Sequence, residues 1–145
     1  MSDNDDPNAS IRAWFAEWGG YVAAVDFDSA RALFDPSVVG FGTFKDVVHG
    51  LDALEAGQWR SIWPAIEGFH FNLDSLEVLP SDDGTLAVAL ITWDSTGFDA
   101  KGRPFPRPGR ATVVLTRQPG GEWKGLHTHL SVYPAEKKTT FGDRD

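Results

Sequence analysis

The sequence predicts an α+β fold in which three N-terminal helices cover one face of a strongly curved antiparallel sheet. Two observations carry this. Apolar residues recur at helical spacing over residues 10–66, and four strand-like runs then follow one another between 69 and 133. The chain's 145 residues are the usual size of one domain, with 41% hydrophobic and 23% charged residues, enough to bury a core without disulfides.

The first helix opens at Asp6-Pro7, a cap followed by a first-turn proline, and continues through Ile11, Trp14, Phe15, Trp18, Tyr21, Val22 and Val25. Gly19 and Gly20 inside it each cost about 1 kcal/mol relative to alanine, so a close neighbour or a bend is expected there. Asp28 is read as the cap of a second, short helix over SARALF, stopped at Asp35-Pro36. VVGFGTF, 38–44, reads as a strand whose glycines permit a bend or a close approach. A third helix then carries Leu51, Leu54, Trp59, Ile62, Trp63 and Ile66, with Pro64 ending or kinking it. Trp14 and Trp18, like Trp59 and Trp63, are four residues apart, so each pair lies on one side of its helix, facing the sheet.

The strand runs are Phe69 to Leu79, Thr85 to Phe98, Gly109 to Gln118 and Glu122 to Tyr133, read as a meander. In the first, the inward phase flips near Ser75, which predicts a bulge. The proline- and glycine-rich segment 97–109 reads as an irregular, mobile loop over one end of the sheet. The expected organisation is a flexible acidic stretch over 1–9, one domain over 10–134 and a charged tail over 135–145.

Composition narrows function by exclusion. A net charge of −8 argues against nucleic acid and anionic lipid as partners. No apolar run is long enough for a membrane span, and the acidic start lacks the features of a secretory signal, so a cytoplasmic location is expected. The absence of cysteine excludes thiol nucleophiles and thiolate metal sites. There is no phosphate-binding glycine loop and no Gly-x-Ser-x-Gly elbow. Asp94 and Asp99 are fallback acids, and His49 is a candidate at a pocket rim.

The order of elements, VVGFGTF before VVHGLDAL, and the ending GRATVVLTRQPGGEWKGLHTHLSVYP resemble the nuclear transport factor 2-like superfamily. Within it the chain looks most like the SnoaL-like and calcium/calmodulin-dependent kinase II association-domain-like branch. The resemblance covers roughly Ser10 to Pro134 and implies a cone, in which a curved sheet and helices enclose a cavity and two copies pair through the sheet's outer face. Ketosteroid isomerase relatives carry a catalytic carboxylate on the strand after the second helix. The matching strand here, 38–43, has none, so that mechanism is not expected. Association-domain relatives carry cavity arginines at positions aligned with Thr92, Val114 and Leu130, which suggests an apolar wall instead.

The pocket-lining candidates are therefore Trp14, Trp18, Tyr21, Phe41, Thr43, Trp59, Trp63, Thr92, Arg110, Thr112, Val114, Thr128 and Leu130. Strand parity puts Leu126, Thr128, Leu130 and Val132 inward and Trp123, His127, His129 and Ser131 outward, the latter four as interface candidates. Two alternatives stay open for His127 and His129: a bulge that turns them inward, or a metal site with His70 as a third ligand. No metal or cofactor is expected. The expected function is a small-molecule-binding protein with an apolar cavity, with isomerisation or hydro-lyase chemistry on a hydrophobic cyclic substrate as candidate activity. The alternative is a non-catalytic homodimerising or assembly module, motivated by the missing base and arginines. Catalytic residues are not identifiable from the chain.

Overall fold

The computed structural model describes residues 6–42, 46–134, 136 and 138–142. Helix α1 (Pro7–Ala24) is capped by Asp6, whose carboxylate accepts from the Asn8 N–H at 3.0 Å, while Pro7 occupies a position that needs no intrahelical donor. It ends at Val25, a β-branched residue held at φ 54°, whose N–H returns to the Tyr21 and Val22 carbonyls. Gly19 has the close neighbour its position demands, because a Cβ there would lie 3.2 Å from the Phe71 ring. Helix α2 (Phe27–Arg31) is capped by Asp26 rather than Asp28, since the left-handed turn at Val25 brings the Asp26 carboxylate to the Ser29 N–H at 3.1 Å.

The strands are β1 (Phe34–Phe41), β2 (Val47–His49), β3 (Glu67–Phe71), β4 (Glu77–Pro80), β5 (Leu86–Phe98), β6 (Pro104–Pro106), β7 (Gly109–Arg117) and β8 (Trp123–Val132). They form one curved, unclosed sheet in the order β2-β1-β8-β7-β5-β3, with β4 and β6 also on β5. The meander holds for β5, β7 and β8, whereas β1 joins β8 in parallel. Thirteen-residue β5 is the spine. Along one edge it pairs with β4 and then β3, and along the other with β7 and then β6.

Both edges break near the middle of β5, and these breaks let the sheet bend. The run expected as one bulged strand from Phe69 to Leu79 is interrupted by a 3-10 turn at Leu73–Ser75, held by the Ser75 hydroxyl on the Asn72 carbonyl at 2.7 Å. Opposite it, Arg107-Pro108 separates β6 from β7. Segment 97–109 is thus no open loop. Its Pro104–Pro106 run pairs with Thr96–Phe98, and Asp99 accepts from the N–H groups of Lys101 and Arg103, both at 2.9 Å.

The third helix is broken rather than continuous: α3 (Leu51–Leu54), a π turn (Glu55–Trp59), α4 (Arg60–Ile62) and a 3-10 turn (Trp63–Ala65) containing Pro64. The wider π turn lets the adjacent residues Gln58 and Trp59 both point inward and be buried. Glu55 ties this segment to α2. Its carboxylate accepts from Arg31 at 3.0 Å and from Arg60 at 2.8 Å. Burial pushes the Glu55 carboxyl up, but the hydrogen bonds and charges of both arginines outweigh it and leave the carboxyl below its ordinary value.

A lowered carboxyl pKa contributes stability that is present above the unfolded value and is lost as pH falls through the folded one. Glu55→Gln is therefore expected to lower Tm at pH 7, with the difference from wild type shrinking below about pH 4. Thermal melts of both proteins between pH 3 and 7 check this, and a difference that stays constant across that range rules the linkage out.

The core is a continuous aromatic stack between helices and sheet. Trp14 and Trp18 meet edge to face at 5.3 Å, and both contact the ring of Phe34. Trp59 and Trp63 stack at 4.7 Å, with Phe27 beyond Trp63 and the Arg60 guanidinium over Phe27. Room for these rings comes from small residues on the facing strands: Ala87, Ala89, Gly109, Ala111 and Gly125. Among the described residues no helix is long and apolar enough to cross a membrane.

Candidate ligand cavity

The residues that line the interior follow from strand phase. On β5 the inward set is Ala87, Ala89, Ile91, Trp93 and Ser95, and on β7 it is Gly109, Ala111, Val113 and Leu115. Thr92, Arg110, Thr112 and Val114, placed in the pocket from sequence, therefore belong to the outer face. The inward set is alanine- and glycine-rich because it must clear the helical rings, and it is still the more apolar of the two. Alignment with arginine-bearing relatives, rather than apolarity, is what misassigns the phase.

On β8 an extra residue decides the matter. Val114 pairs with His127 and Leu115 with Gly125, so Leu126 sits in a bulge and the inward phase changes there. Beyond the bulge, Thr128 and Leu130 face inward, with Thr128 almost fully buried. Before it, Trp123 and Gly125 also face inward, which corrects the placement of Trp123 at an interface. Its indole N–H donates to the Ser10 hydroxyl of α1 at 2.9 Å, and the Arg117 guanidinium lies over its ring.

Between the helices and β3, β5 and β8 a void of about 30 Å³ remains. On that measure one water needs about 10–15 Å³, so it holds about two. Trp18, Trp59, Trp63 and Leu130 border it, together with Val22, Phe69 and Trp93. Ile62 and Ile66, both half-buried, form its mouth with Arg107. Trp14 and Thr128 are buried in the packed core, away from the void, and Tyr21 is half-buried beside that core. Phe41 packs on His127 and His129 at the outer face, and Thr43 lies outside the described residues.

The void has a polar lining that the sequence did not announce. Among the described residues Trp18 Nε1, Trp93 Nε1 and Gln58 Oε1 are buried without a hydrogen-bond partner, and all three residues border it. Leaving such a group unsatisfied costs about 1–3 kcal/mol. Gln58 is drawn in by the π turn and by Gly42, where an added Cβ would stand 2.8 Å from Nε2. Arg107 reaches the rim from the break between β6 and β7, where its N–H donates to the Ser95 carbonyl at 2.8 Å and its carbonyl accepts from the Ser95 hydroxyl at 2.6 Å. Burial pulls its pKa below the ordinary arginine value, although a guanidinium remains protonated at neutral pH. A mid-helix glutamine and an arginine between prolines read as surface residues, so neither signalled the site.

Among the described residues no carboxylate, histidine or tyrosine borders this void. Asp94 is exposed on the outer face 3.9 Å from His70, and Asp99 is committed to its own hairpin. His49 lies on the edge strand β2, where it borders a separate open groove. His127 and His129 point to the outer face, with His127 Nδ1 2.7 Å from the Val39 carbonyl oxygen. His70 is three strands away from them in the order β8-β7-β5-β3, about 14 Å at ordinary strand spacing. Among the described residues no group of three His, Asp or Glu side chains is placed to hold a metal ion. The outer face instead carries an open groove of about 360 Å³, lined by Thr92, Arg110, Thr112, His129, Ser131 and Tyr133.

Comparison with known proteins gives this geometry a context. The SnoaL-like domain family model matches residues 11–136. A nuclear transport factor 2-like superfamily protein from Salmonella enterica is 18% identical, with 94% of this chain and 96% of that one covered at a TM-score of 0.75. A ketosteroid isomerase-like protein from Erwinia carotovora is 16% identical, covering 89% and 98% at 0.74. A protein from Xanthomonas campestris, provisionally assigned as a calcium/calmodulin dependent protein kinase II association domain, is 21% identical, covering 88% and 89% at 0.72. At these identities the likeness is one of fold. No functionally curated protein matches the chain in sequence.

Proposed function

Since the chain belongs to the SnoaL-like domain family, we propose that it is a small-molecule-binding protein whose ligand is held at the inner void between α1, the broken third helix and the sheet. The observation that carries this is the meeting of three unpartnered buried polar atoms at one void. Packing alone is better served by phenylalanine and leucine at those places, because an unsatisfied polar group is a net loss. The ligand's body lies at the mouth, where Ile62 ends the short α4 and Ile66 follows the 3-10 turn in extended conformation, rather than both standing on a continuous helix. Binding, rather than isomerisation or hydro-lyase chemistry, is the reading the lining favours, because proton transfer needs a titratable base within reach of substrate and none of the described residues bordering the void supplies one.

A thermal-shift screen of small cyclic compounds tests the proposal, since a ligand that binds only the folded state raises Tm. Val22→Ile adds one methylene, about the size of one of the two waters the void holds, and is expected to leave the fold intact while reducing the ligand's shift. A library with no stabilising member, or a shift undiminished in Val22→Ile, overturns it.

The second reading is a non-catalytic module that pairs with its own copy through the outer sheet face. It is favoured by the same missing base and by the Thr92–Ser131 groove, which Phe41 and His129 flank. Light scattering that returns the monomer mass of 15.9 kDa at working concentration removes this reading.

A further inference from the structure

We infer that the void receives the amide edge of a flat, uncharged lactam ring, whose carbonyl oxygen accepts from the Trp18 and Trp93 indoles and whose ring N–H donates to Gln58. This rests on the proposal that the void is the ligand site, and it names the ligand's class. The balance of donors and acceptors decides the class. An indole N–H can only donate, so Trp18 Nε1 and Trp93 Nε1 call for an oxygen with two lone pairs, whereas Gln58 Oε1 can only accept and calls for a donor. The nitrogen end of the Gln58 amide lies against Gly42, where an added Cβ would stand 2.8 Å from Nε2, and Oε1 is the end left without a partner among the described residues. All three atoms are neutral, and they give an ion no counter-charge against the loss of its hydration.

Size narrows the head further. The void of about 30 Å³ holds two water-sized groups and no ring. A lactam carries its oxygen and its N–H on one carbon, so the two polar atoms enter side by side while the body of the ring stays at the mouth. A lone hydroxyl can make the same three bonds but fills only one of the two places. A primary carboxamide fills both but brings one N–H more than the three atoms call for. At the mouth the ring meets the stacked pair Trp59 and Trp63, 4.7 Å apart, and the rings of Phe69 and Trp93, an aromatic surface that suits a flat body. The competing occupant is water, two molecules of which fit the void and satisfy the same atoms.

The test uses the full chain and three uncharged bicyclic probes of similar size: 2-quinolone, coumarin, in which a ring oxygen replaces the N–H, and 2-naphthol, whose head is a lone hydroxyl. Isothermal titration is expected to rank 2-quinolone first. Coumarin is expected to bind about 10-fold more weakly, because Gln58 Oε1 then faces an oxygen, and 2-naphthol is also expected to be weaker, because it leaves half of the void unfilled. Gln58→Leu is expected to erase the preference for 2-quinolone over coumarin, whereas Trp18→Phe is expected to weaken both about equally, since both present a carbonyl oxygen. Melting curves of each variant confirm that it is folded, and the ranking on the unmodified chain stands without them. If coumarin or 2-naphthol binds as tightly as 2-quinolone, or the preference for 2-quinolone survives Gln58→Leu, the lactam assignment is wrong while the void remains a ligand site. If 2-quinolone does not bind, the assignment is likewise wrong, and the ligand-site proposal falls with it only where the screened library also holds no stabilising compound.

Discussion

Gly109→Ala is expected to destabilise the protein by about 3 kcal/mol, the upper end of what overpacking a close-packed interior costs. Gly109 pairs with Trp93 across β5 and β7, and the indole of Trp93 folds flat over its Cα. An alanine Cβ would stand 2.1 Å from Trp93 Cζ2 and 2.4 Å from Cη2, where ordinary contacts are 3.4 Å or more. Neither side yields easily. Gly109 is tied into the ladder on both edges, facing Trp93 and Val132, and the Trp93 ring is almost fully buried against Phe69. Denaturant unfolding measures the cost, and a double-mutant cycle identifies its cause. In a Trp93→Leu background the same substitution is expected to cost less than about 0.5 kcal/mol, since alanine is otherwise no worse than glycine in a strand. Equal costs in the two backgrounds would show that the glycine is needed for its backbone and not for the ring.

Trp18→Ala is expected to cost about 3–5 kcal/mol, a large share of the 5–15 kcal/mol total of a typical domain. Trp18 joins both halves of the aromatic core, with ring contacts at 5.3 Å to Trp14, 5.1 Å to Phe34 and 5.2 Å to Phe71. Trp18→Phe separates packing from polarity. It keeps most of the ring contacts and removes an N–H without a partner, so the lost volume and the relieved desolvation oppose each other and the net cost is expected to be about 1 kcal/mol or less. Chemical denaturation of the two variants side by side decides it. If phenylalanine costs nearly as much as alanine, the indole N–H is already bonded in the free protein and the polar lining described for the void is not vacant.

Much of the fold was legible in the chain because its signals are local. The Asp6-Pro7 start of α1 and the pairing of tryptophans along a helix face require only neighbours within a turn or two. Interruptions were less legible. The π turn at Glu55–Trp59 and the bulge at Leu126 each insert one residue into an otherwise regular element, and no residue type announces an insertion. The bulge alone moved Trp123 from the expected outer face into contact with α1. The candidate site depends most on such events. Gln58, Arg107 and Trp93 reach one void from a π turn, a strand break and a long strand that are distant in sequence.

The amino-acid sequence by itself determined the types and order of the elements, the ring-rich character of the core and the absence of thiol chemistry. Only the tertiary structure decided which side of each strand faces that core and which polar groups are left without partners inside it. The reason is that a strand's side chains alternate, so their direction is set by register against a neighbouring strand, and one inserted residue reverses it. Whether a buried polar atom is satisfied is likewise a property of what surrounds it, and at this void those surroundings come from helix and sheet together.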